Sequence, residues 1–113
     1  MNLRKQPIRS GIPRGPKRKW PKHRRFVRTF PCQVAGCPHP AECCHLRTAA
    51  NSGMGLKPAD YFTVPLCRAH HIEQEGRTET FCQKYRIDLW MLAAVLADKS
   101  PDLAMRAAMR EAT

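Results

Sequence analysis

Acidic residues are missing from the first 29 positions of this 113-residue chain, where eleven Lys and Arg stand unopposed. The remaining positions hold nine basic against nine acidic residues, so the formal net charge of +11 belongs almost wholly to that first stretch. Long apolar runs are lacking too. The longest, residues 89–97, falls well short of the ~20 residues that cross a bilayer, which argues against a membrane span. No apolar segment follows the first basic residues, as a secretory leader would require, and a cytoplasmic protein is expected. No internal repeat is present, and 113 residues allow one domain at most.

The basic stretch has little apolar side chain to offset its ordering entropy, and Pro7, Pro13, Pro16 and Pro21 interrupt any helix. The chain is therefore expected to divide into a disordered arm, 1–29, and a folded unit, 30–113. A membrane anchor would want an amphipathic face or a lipidation site, and neither is evident. A flexible cationic arm gains affinity for nucleic acid by releasing counterions, which requires no defined structure. DNA is the expected partner. Arg18, Lys19, Arg24 and Arg25, around the sequence Trp20-Pro-Lys-His-Arg-Arg-Phe26, are its candidate phosphate contacts. His23 and His39 are expected to be solvated, and Trp20 and Trp90 to pack or stack.

Within the folded unit the pattern is strand, loop, strand, helix, followed by more helices. Residues 42–46 are a half-apolar run and 61–66 a β-branched and aromatic one, with Pro65 at an edge or strand end. The glycines of 51–55 mark a loop between them. Residues 67–75 carry no helix breaker and stop at Gly76. Residues 78–87 predict a helix, Asp88 an N-cap for 89–97, and 101–113 a last helix. The fold class is small α+β.

Five of the six cysteines and four of the five histidines lie between residues 30 and 76. In a small cytoplasmic chain that usage points to metal before disulfides. Cys32-x4-Cys37 sits in a Pro- and Gly-containing knuckle, and Cys67-x2-His70 sits where a strand meets a helix. Two such closely spaced pairs are what a tetrahedral Zn²⁺ needs, and the ion adds folding energy that a small core lacks. Cys43 and Cys44 are adjacent on a strand and face opposite ways, so at most one joins the site; the other is a small buried hydrophobe. Cys82 is expected to pack. His71 is turned about 100° from His70 on the helix and cannot share its ion. His45, on the preceding strand, is its natural partner.

The strings Glu42-Cys-Cys-His45-Leu-Arg47, Gly53-Met-Gly55-Leu-Lys57-Pro-x-Asp60 and Val64-Pro-Leu-Cys67-x-x-His70-His71 together resemble phage and prophage HNH (ββα-metal) endonucleases. The similar subgroup includes phage recombination-enhancement nucleases. The resemblance implies a zinc-stabilised ββα-metal core with extra C-terminal helices, and a DNA endonuclease in a bacterial host cell. It also implies a possible recombination or packaging partner. His45 would be the general base, His71 the ligand of a catalytic Mg²⁺ or Mn²⁺, and Asp60 an orienting or metal-assisting acid. Asp60 is equally readable as a turn residue. Arg47, Lys57 and Arg68 flank this proposed site as candidate phosphate contacts. Two positions depart from the family pattern: Cys44 stands where many members have an acid or histidine, and Phe62 where they have Asn or His. The alternative is a zinc-stabilised DNA-binding or accessory module of the same fold without catalysis.

Overall fold

The structure, a computed structural model, describes residues 17–48 and 58–112. Among these, one two-stranded antiparallel sheet is surrounded by five helices. In chain order they are α1 (Pro21–Arg28), β1 (Glu42–His45), β2 (Thr63–Leu66), α2 (Arg68–Gln74), α3 (Thr78–Tyr85), α4 (Leu89–Asp98) and α5 (Leu103–Ala112). No helix among the described residues is long and apolar enough to cross a membrane.

Helix α1 corrects the expectation of a disordered arm through residue 29. Pro21 starts the helix instead of breaking it, because at the first helical position its missing N–H costs nothing. Trp20, His23 and Val27 then fall on one face and are buried, while Lys22, Arg25 and Arg28 stay exposed. This apolar face, diluted by cations in composition, is why α1 folds onto the domain. His23, expected to be solvated, is fully buried and shares a hydrogen bond with Ser100 between its Nδ1 and the serine Oγ, 2.8 Å apart. The division of the chain at residue 29 does not hold for the described residues.

The hairpin pairs Glu42 with Leu66, Cys44 with Val64 and His45 with Thr63. Cys43 faces Pro65, which has no N–H to give, but the Pro65 carbonyl accepts from the Gln33 backbone of the knuckle, 3.1 Å away. All four β2 residues are buried. One core gathers Val34, Cys44, Leu46, Val64, Leu66, Phe81, Leu89 and Ala93; a second joins Trp20 to Ala97 and Met105.

Local signals explain the helix ends. Asp88 caps α4 through its side chain, which accepts from the Met91 N–H at 3.0 Å. Helix α2 stops at Glu75 and the chain turns through Gly76 at φ 73°, a conformation in which glycine pays no Cβ penalty. Helix α3 ends at Arg86 with φ 54°, where the sequence offers no glycine. The segment 51–55, Lys57 and residues 1–16 lie outside the described residues.

Candidate metal centre and histidine cleft

The Cys67 backbone leaves β2 and caps α2, which sets its thiol beside the first-turn His70. The knuckle brings Cys32 and Cys37 to the same point. The four ligating atoms all lie within 4.8 Å of one another. Cys37 Sγ is 3.8 Å from Cys67 Sγ, and His70 Nδ1 is 3.4 Å from Cys32 Sγ and 3.1 Å from Cys67 Sγ. Around a tetrahedral zinc with Zn–S of about 2.3 Å and Zn–N of about 2.0 Å, sulfurs sit about 3.8 Å apart and sulfur and nitrogen about 3.5 Å. These three edges match to within a few tenths of an ångström, and the site can hold a metal ion. Burial works against ionising Cys67, but the His70 and Ala69 backbone N–H groups and the neighbouring thiols outweigh it and lower its pKa, as a metal-binding thiolate requires.

Cys43 and Cys44 do not join this quartet. Cys44 is fully buried, and desolvation pushes its thiol up to about 12, so it stays a neutral interior group to which Gln74 Nε2 donates at 3.1 Å. Cys82 packs against the main core. His39 is exposed.

On the other side of α2 a cleft of about 510 Å³ is lined by His45, His71, Glu42 and Cys43, with Arg24, Arg28 and Arg47 at its walls. His45 lies at the end of β1, and its Nε2 is 2.8 Å from Asp60 Oδ1. The other Asp60 oxygen accepts from the Trp20 backbone N–H at 2.6 Å and lies 3.0 Å from Arg24 Nε. The main chain closes the clamp, because the Asp60 N–H donates to the Arg18 carbonyl and the Thr63 hydroxyl to the Asp60 carbonyl. Burial opposes the charge on Asp60, yet the His45 and Trp20 hydrogen bonds and the Arg24 cation hold its pKa below the usual value. An ionised carboxylate accepts, so the ring donates from Nε2 and Nδ1 is the nitrogen that bond leaves over.

His71 faces away from the quartet, as its position beside His70 predicts. Its Nδ1 is 2.9 Å from Glu42 Oε1, and the hydrogen bond to His71 lowers the Glu42 pKa, with Arg68 adding at 3.4 Å. Glu42 is thus a site residue that the sequence presents only as part of a motif. Its signal was its place three residues before His45 on the strand, which no spacing rule links to His71.

The other candidates separate. Arg24 and Arg47 line the cleft; Arg68 is largely exposed beside Glu42; Lys19 and Arg25 are exposed, and Arg18 is half-buried. Phe62 packs edge-on against Trp90 with ring centroids 6.3 Å apart and does not line the cleft.

Residues 10–104 match a family described as a protein of unknown function (DUF968). The chain belongs to that family. The DUF968 match begins ahead of α1 and so takes in the helix, the quartet and the cleft together. "Uncharacterized protein YdfU" of Escherichia coli (strain K12) is 38% identical over 78 residues, covering 67% of this chain and 22% of that protein. The chain therefore spans under a quarter of that relative's length. No solved structure matches.

Proposed function

We propose that the protein is a metal-dependent DNA endonuclease of the HNH type, with the quartet as a structural zinc site. The observation that carries this reading is the pairing of each cleft histidine with its own carboxylate, His45 with Asp60 and His71 with Glu42. A binding surface has no need to fix ring tautomers. A general base and a metal ligand both do. The strand–strand–helix order of β1, β2 and α2 supports it, as does a cleft with three arginines at its walls.

In this reading His45 removes a proton from water through Nδ1. The water oxygen bonds to phosphorus as the bond to the 3′ oxygen breaks, and that oxygen leaves with the electron pair. Asp60 holds the ring and stabilises the imidazolium formed. Arg47 and Arg28 bind the flanking phosphates. The donor set suits a hard divalent ion that keeps most of its water: His71 would hold it through Nε2, with Glu42 orienting the ring. Such an ion supplies Lewis-acid polarisation of the phosphate and charge for the departing oxygen.

One observation favours a second reading, a DNA-binding module without chemistry. Among the described residues, the quartet is the one cluster that brings three or more ligand atoms within 4.8 Å. Nicking of supercoiled plasmid with Mg²⁺ or Mn²⁺ separates the two, with wild type and His45→Ala compared at equal zinc content. Nicking that falls by about 100-fold or more in the variant supports the nuclease, in keeping with removal of a general base. DNA binding without nicking by the wild type sustains the module.

A further inference from the structure

Arg24 occupies an unusual position. Its Nε is buried 3.0 Å from Asp60 Oδ2, while the side chain as a whole remains 37% exposed and lines the cleft beside His45. The Nε–H is not aimed at the oxygen, so the contact is an ion pair with its hydrogen bond unmade. Asp60 itself is 6% exposed at the side chain, and its other oxygen is spent on His45. One carboxylate thus links a cleft cation to the ring nitrogen of the proposed base.

We infer that Arg24 is a positioning residue, which fixes the Asp60 carboxylate from one end of its guanidinium and takes a phosphate of the bound nucleic acid with the other. A guanidinium has five N–H donors in a rigid fork, so it serves two anions at once where an ammonium, as a compact point charge, favours one. Phosphate drawn to the outer nitrogens reorients the plane and with it the Nε–H toward Oδ2. Substrate binding and alignment of His45 are then one event. Arg28 lies one helical turn on and lines the same cleft, but has no contact with Asp60 among its described interactions; it supplies the comparison.

The coupling to catalysis rests on the nuclease reading; the effect on His45 does not. The test is therefore read first without nucleic acid, on the zinc-loaded full chain, as the ring ¹⁵N signals of His45. The proton is expected on Nε2 in all three proteins, since Asp60 stays ionised. Arg24→Gln should shift and broaden the Nε2–H signal as the carboxylate loses one of its anchors, and Arg24→Lys should return it toward wild type because a cation again faces Oδ2. A His45 signal that Arg24→Gln leaves unchanged overturns the positioning role. If that variant fails to fold, the lysine variant decides: a shifted and broadened His45 Nε2–H signal in folded, zinc-loaded Arg24→Lys, which keeps the cation, is an equal refutation. Plasmid nicking is read second. Arg24→Gln is expected to lose about 10- to 100-fold in kcat, the scale of losing an orienting contact, whereas the loss in Arg28→Gln falls on KM. A loss confined to KM in both variants refutes the coupling. Shifted His45 signals with no nicking by wild type sink the nuclease reading and leave Arg24 as the residue that positions His45.

Discussion

Protonating His23 would put a charge beside the second core, where the ring is fully buried and its Nε2 has no hydrogen-bond partner among the described residues. Desolvation lowers its pKa below the ordinary 6.5, against the opposing pull of Asp60 and Asp102. The sign follows. The unfolded chain takes up a proton near pH 6.5 that the native protein refuses, so stability is complete above that pH and falls as the pH drops toward the native value. Asp60 acts in a lower window, since its native pKa is depressed. Its contribution is complete above the ordinary 3.8 and is lost as the pH falls through the native value. Urea unfolding between about pH 7 and 5 should therefore lose stability more steeply in wild type than in His23→Gln, which keeps a partner for Ser100. Zinc-ligand protonation is common to both proteins and cancels; parallel slopes would exclude His23 as the cause. At this scale the quartet was legible because ligand pairs declare themselves by local spacing. Asp60 was half legible, as acid or turn residue. Its bond to the Trp20 backbone spans 40 positions and the His71 to Glu42 bond spans 29, and no local pattern encodes either.

The quartet, which can hold a metal ion, joins three elements. The knuckle brings Cys32 and Cys37, the end of β2 brings Cys67, and the first turn of α2 brings His70. A two-stranded sheet is marginal by itself, and α2 has only seven residues, below the length at which an isolated helix persists. Structural zinc supplies on the order of 10 kcal/mol in small domains, so on the proposed reading the ion would decide whether this unit folds. Removing the metal with a chelator should release about one zinc per chain and collapse the near-ultraviolet circular dichroism of Trp20 and Trp90. Full retention of that signal in metal-free protein would show that the hairpin and α2 hold without the ion. Helix α4 and its Asp88 cap were legible from periodicity and capping chemistry alone. The α1 helix was not, because seven cations from Lys17 to Arg28 mask the spacing of Trp20, His23 and Val27.

For the whole molecule, the consequence is that the basic N-terminal stretch is not uniform: Pro21–Arg28 is a helix packed on the described core. Arg4, Lys5, Arg9 and Arg14 lie within residues 1–16, outside the described residues. Removing residues 1–29 also takes the Trp20 and Val27 packing, the Trp20 N–H that holds Asp60, and the bond between His23 and Ser100. Deletion through residue 29 was expected, from composition, to leave the folded unit intact. With α1 in the core it should not. Loss of residues 1–16 should leave the melting temperature near that of the full chain, and loss of 1–29 should lower it by several degrees or abolish cooperative unfolding. DNA binding would report the other half. Each phosphate contact contributes about 0.9 to the slope of log K against log salt, so losing four cations reduces that slope by at most about 3.6. A shorter deletion that flattens the salt dependence while the melting curve stays in place assigns residues 1–16 to electrostatic attraction and α1 to the site. Equal melting temperatures for both deletions would mean that α1 rests on the surface, and the account of Asp60 held from Trp20 and Arg24 would go with it.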